Sequence, residues 1–150
     1  GLNRMKSFFS LSLIVTLTTV FLLSCTGNEQ HGGLEWNNGW VRALPPGSGM
    51  TSAYGEIRNG SNESLELTAY DSSAFAHVSL HQSSLEKGVS RMQEQGVVVL
   101  EPGESMHLQP GGLHLMLMKV TAAVEAGQEI EIGVSTADQR FEFSLPVEAR

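Results

Sequence analysis

The chain of 150 residues has a single cysteine, Cys25. One thiol cannot close an intramolecular disulfide, so the fold has to stand on core packing. Positive charge is also scarce: nine Lys and Arg against sixteen Asp and Glu give a formal net charge of −7. The basic residues are scattered, without the clustered stripe that phosphate contacts require, which argues against nucleic acid as a partner. Beyond residue 33 no stretch keeps a 3.6-residue apolar period over three turns, and Thr121 to Ala126 manages one turn at most. A helical bundle is therefore not expected. Gly-x-Ser-x-Gly, His-Glu-x-x-His and a Gly-rich phosphate loop are all missing, which argues against an enzyme of the hydrolase or phosphate-handling kinds.

What is present begins with an export signal. Met5-Lys6 supplies a short positive region, and Phe8 to Leu23 is an apolar run broken only by Ser and Thr, too short for a comfortable membrane span. Its end, Leu22-Leu23-Ser24-Cys25, resembles the lipobox of bacterial lipoproteins, in which the cysteine is diacylated and becomes the mature N-terminus. Residues 1–24 are thus expected to be a lipoprotein signal peptide, with Gly1 to Arg4 a gene-model extension ahead of the initiator Met5. Cys25 is expected to carry the lipid, at the periplasmic face of the envelope. Thr26, standing where an Asp would retain the protein at the inner membrane by the usual sorting pattern, points to the outer membrane. Thr26 to Gly33 is polar and glycine-rich and reads as a tether, so residues 25–33 link the lipid to a domain at 34–150.

Within that domain, short strand-like runs alternate with turn signals. Trp40 to Leu44 precedes Pro45-Pro46-Gly47, Ser52 to Arg58 precedes Asn59-Gly60, and Leu65 to Tyr70 precedes Asp71-Ser72-Ser73. Further strands are expected at Ala76 to His81, Val97 to Leu100, Met106 to Gln109, His114 to Val120, Glu129 to Ser135 and Arg140 to Val147. Ile130, Ile132 and Val134 share one face, as do Phe141, Phe143 and Leu145, and these two strands form the last hairpin. Many short punctuated strands predict an antiparallel sandwich or barrel. Ser83 to Gln95, rich in Glu, Lys, Gln and Arg, reads as an exposed loop or hairpin.

Four soft donors stand out from this frame. His114 and Met116 lie at i and i+2 of a strand and so project from one face, while Leu115 and Leu117 point to the other. His81 closes a strand whose Val78 and Leu80 look core-facing, and Met92 lies in the polar segment, where packing gives a thioether little reason to be. Two imidazoles and two thioethers make a neutral N2S2 set suited to Cu(I), since soft thioether sulfur selects monovalent copper over zinc, magnesium or calcium. Blue-copper electron transfer would need a cysteine thiolate that the domain lacks. Met50, in a loop, and Met118, two residues beyond Met116, are possible auxiliary thioethers. Met106 and His107 are adjacent on a strand and cannot both face one ion, and His77 sits too far from His81 to share its metal.

The spacing His81-x10-Met92-x21-His114-x-Met116 resembles the signature of the PCu(A)C family of periplasmic copper chaperones. The flanks agree: Leu80-His81-Gln82, Gly88-Val89-Ser90-Arg91-Met92, the run from Leu108-Gln109-Pro110-Gly111-Gly112 to Met118, and Trp40-Val41-Arg42-Ala43 before Pro45-Pro46-Gly47. The resemblance implies a cupredoxin-like antiparallel Greek-key β-sandwich that binds Cu(I) near its surface. It also implies hand-over to the CuA centre of cytochrome c oxidase during assembly, with a Sco-like protein or the CuA subunit as partners and the membrane reached through the N-terminal lipid. Ser90 stands where many members carry another Met, and no His/Met-rich tail follows, so one bound Cu(I) is expected. The alternatives are a copper-sequestering resistance lipoprotein and a metal-free scaffolding sandwich.

Overall fold

Period-two alternation builds the strands, and the inward half of each alternation builds the core. A computed structural model describes residues 33–150, and the expected signal peptide, Cys25 and nearly all of the tether lie outside the described residues. The strands are β1 (Leu34–Arg42), β2 (Met50–Asn59), β3 (Leu65–Leu67), β4 (Ala69–Ser72), β5 (Phe75–Glu86), β6 (Val89–Glu94), β7 (Val98–Leu100), β8 (Ser105–Leu108), β9 (Leu113–Val120), β10 (Glu129–Ser135) and β11 (Arg140–Glu148). Among the described residues no helix is long and apolar enough to cross a membrane.

Seven strands close into a ring in the order β1-β11-β10-β4-β5-β9-β2, with β2 returning to β1. A closed ring with an odd number of strands cannot alternate direction throughout. The one parallel pairing falls between β1 and β11, where Val41 faces Val147 and Arg42 faces Glu148. All the other strand pairings described are antiparallel, so the expected all-β antiparallel sandwich holds, in barrel-like form. β8 pairs with the second half of β2, β6 is appended to β5, and β3 pairs with β7 as a separate ribbon.

Val41, Ala53, Ile57, Leu67, Leu115, Leu117, Ile132 and Val134 are wholly buried and fill the interior. With β-branched and leucine side chains meeting from every wall, burial supplies the stability at roughly 25 cal/mol per Å² of apolar surface removed from water. Phe141 and Leu145 are buried and Phe143 packs against them, as the alternation in β11 predicts.

Two boundaries differ from expectation. β1 starts at Leu34, well ahead of the expected Trp40, because a bulge with Asn38 at φ 50° carries the strand through Trp36-Asn37-Asn38-Gly39. Opposite it, Gly55 sits at φ 129°, where a Cβ would lie 2.5 Å from Trp36 Nε1. The run Leu65 to Tyr70 divides between two sheets at Thr68. Ser83 to Gln95, expected as an exposed loop or hairpin, is a hairpin of β5 and β6, its two-residue turn formed by Lys87 (φ 51°) and Gly88 (φ 79°).

Candidate metal centre

β5 and β9 run antiparallel in a register that pairs Leu80 with Leu115 and Val78 with Leu117, all four facing the core. The alternate residues therefore share the outer face, where His81 faces His114, Ser79 faces Met116 and His77 faces Met118. On the far side of β9, β2 contributes Ser52 opposite Met116 and Met50 opposite Met118. On the far side of β5, β6 contributes Glu94 opposite His81 and Met92 opposite Ser83. The four expected donors consequently lie on one face of a β6-β5-β9 sheet, with Met92 one diagonal step from His81. Met92 is a strand residue, not a loop residue.

The two imidazoles are close and nearly parallel, with ring centroids 6.2 Å apart at an interplanar angle of 26°. The turn before β9 orients one of them. Pro110 and Gly111, the latter at φ 80°, occupy the corner of a turn closed by the Gly112 N–H donating to the Gln109 carbonyl at 3.0 Å. The Gly112 carbonyl then accepts from Ser83 N–H at 3.0 Å and from His114 Nδ1 at 2.9 Å. A carbonyl only accepts, so the Nδ1 proton is fixed and Nε2 keeps its lone pair.

His81 is held by its neighbour in β5. Its Nε2 lies 2.8 Å from Ser79 Oγ, and its Nδ1 is buried without any partner. In the tautomer whose Nε2–H donates to Ser79 Oγ, Nδ1 presents an unpaired lone pair that a Lewis acid can satisfy. Burial holds the His81 ring below the usual histidine range; the Glu94 carboxylate acts against this, and the His114 and His77 rings act with it.

Met116 is half-buried, with Ser52 Oγ 4.0 Å from its sulfur. Met92 is 52% exposed, so the set combines an ordered wall with one solvent-facing donor. Tyr54 packs against His114 at 6.4 Å between ring centroids and against Trp40 at 4.7 Å, closing one side with aromatic surface. Arg42 and Arg150 lie over the Trp40 ring at 5.8 and 4.1 Å. Among the described residues no group of three or more His, Cys, Asp or Glu side chains could hold a metal ion. A metal on this face would need the thioethers.

Of the auxiliary candidates, Met118 is half-buried on this same outer face, and Met50, expected in a loop, begins β2 as its direct partner. His107 is exposed while Met106 is buried, so they do point apart. Sequence reasoning missed Tyr54, Ser79, Ser52, Glu94 and the Gly112 carbonyl. The Lys87-Gly88 turn was the available signal for Glu94, because a two-residue hairpin turn fixes the pairing along both its strands.

Residues 34–147 match the model of the LpqE-like family, described as putative lipoprotein LpqE-like. A putative lipoprotein of Leifsonia xyli subsp. xyli is 35% identical over 114 residues, covering 75% of this chain and 68% of the relative. Among solved structures, the copper-bound PCuAC domain from PmoF2 aligns with a TM-score of 0.65 at 20% identity, over 79% of this chain and 95% of that domain. The Cu(I) form of DR1885 from Deinococcus radiodurans aligns with a TM-score of 0.56 at 21% identity, over 79% of this chain and 81% of that protein.

Proposed function

The chain belongs to the LpqE-like family of putative lipoproteins, and from that membership and the fold it shares with PCuAC domains we propose that it is a Cu(I) carrier of the cell envelope. The observation that carries this reading is the cross-strand pair His81 and His114, with Met116 and Met92 on the same face, His114 Nδ1 engaged by a carbonyl and His81 Nδ1 without a hydrogen-bond partner. All four donors are neutral when bound, so Cu(I) keeps its single charge and thioether exchange lets it leave without deprotonation or redox change. The copper-bound state of the PmoF2 domain and the Cu(I) form of DR1885, on the same fold, support the choice of metal.

In this reading His81, His114 and Met116 form the fixed part of the site, and exposed Met92 is the donor that captures the ion and yields it to a partner. Cys25 carries the lipid that holds the carrier at the periplasmic face, in the outer membrane. The recipient is the CuA centre of cytochrome c oxidase, reached directly or through a Sco-like protein. A deletion strain that loses oxidase activity and regains it with added copper would support delivery. Copper sensitivity with normal oxidase would assign the protein to sequestration instead. Anaerobic Cu(I) titration against a competing chelator tests the site itself: the His114→Ala, Met116→Ala double variant is expected to lose tight binding, and unchanged affinity would sink the proposal.

A further inference from the structure

The outer face of β2, β9 and β5 carries a second set of soft donors that the copper site does not use. Met50 faces Met118 across β2 and β9, and Met118 faces His77 across β9 and β5. Three strands thus align two thioethers and an imidazole in one row. Directly opposed residues have Cβ atoms about 4.5–5.5 Å apart, within reach for long Met side chains to converge on one ion. None of the three faces the core: Leu117, the neighbour of Met118, takes the inward position while Met118 is half-buried on the outer face, Met50 is 50% exposed, and His77 is exposed.

The rows repeat along the strands in a fixed order. His114 and His81 form one, Ser52, Met116 and Ser79 the next, and Met50, Met118 and His77 the third. Alternate residues of a strand are about 7 Å apart, so an ion at the third row would sit beyond bonding distance of His81 and His114. Met116 stands between the two sets. The serines on either side of it, at Ser52 and Ser79, are hard oxygen donors that suit a monovalent soft cation poorly.

We propose that Met50, Met118 and His77 form a second, weaker station for a monovalent soft cation, Cu(I) or Ag(I), alongside the first. The inference rests on the Cu(I) reading of His81, Met92, His114 and Met116, and its test separates the two. The purified protein, labelled at the methionine methyl carbons, is titrated with Ag(I) under conditions where the ion remains free, and each methyl resonance is followed. The first equivalent should shift Met92 and Met116, and a second should shift Met50 and Met118. Met50→Leu with Met118→Leu, a swap that keeps apolar volume, should lower the stoichiometry from two to one while Met92 and Met116 still respond. His81→Ala with His114→Ala should abolish the first step and leave the response of Met50 and Met118. If only Met92 and Met116 respond in the unaltered protein, the second station is wrong and the carrier reading stands. If no methionine responds, both fall.

Discussion

His81 and His114 stand directly opposite one another on antiparallel strands, yet each ring is oriented by a different device. His114 gives its Nδ1 proton to the Gly112 carbonyl, whereas His81 leans on the Ser79 hydroxyl. Backbone holds one ring and a replaceable side chain holds the other. That asymmetry makes the contribution of ring orientation measurable.

Ser79→Ala should weaken Cu(I) binding by about 10- to 100-fold, the usual effect of removing a partner that orients a metal-binding histidine. Ser79 is buried and alanine fits its space, so thermal stability should change little. Equal affinity in the variant and the parent, measured by chelator competition, would refute an orienting role for the hydroxyl.

The His81 ring should titrate below the ordinary histidine value of about 6.5 in the metal-free protein, because burial disfavours its charged form. Its folded pKa is lowered, so on acidification the unfolded chain takes up the proton first. The stability it contributes is therefore complete above about pH 6.5 and is lost as pH falls through the folded value. An NMR titration reads this directly, and a midpoint at or above 6.5 would contradict it. Urea unfolding at successively lower pH should show the matching loss, and His81→Gln should remove that part of the slope.

Packing and metal binding should separate cleanly along the chain. Leu117→Ala removes a wholly buried side chain from a core with no disulfide among the described residues, and should cost about 2–5 kcal/mol. Met92→Ala, on an exposed strand, should move stability by no more than about 0.5 kcal/mol while lowering Cu(I) affinity. Chemical denaturation beside copper titration checks both, and a large stability loss for Met92→Ala would show that its role is structural.

Gly55→Ala should destabilise by more than about 1 kcal/mol, since the residue sits at φ 129° and its Cβ would meet Trp36 Nε1 and the Gly39 backbone. Trp36 Nε1 donates to the Tyr54 carbonyl at 3.1 Å, so the strain falls next to the ring that packs on His114. A near-native melting temperature would mean that the bulge yields easily.

Parity along a strand is a local property, and it was legible. Leu115 and Leu117 inward against His114 and Met116 outward, Val78 and Leu80 inward against His81, and the alternation of the final hairpin all follow from a period of two. The pairing of His81 with His114 is a long-range register, and no local pattern encodes it. β6 was legible only as loop or hairpin, because all six of its residues are exposed and no apolar alternation marks it as a strand. The parallel pairing of β1 and β11 depends on how many strands close the ring, which no single segment reveals.

β6 touches the rest of the sheet only through β5. Its outer edge is unpaired, and Arg91 and Glu94 on it discourage another strand from docking there. Peeling it away breaks hairpin hydrogen bonds but takes none of its own side chains out of a core, since all six are exposed, so it belongs to the parts of the protein that open at small free-energy cost. Met92 rides on this flap while His81 and His114 belong to the barrel wall. Amide exchange should accordingly be fast in β6 and slow in β9, and an ion held by all four donors would be released by the hinge rather than by any disturbance of the core.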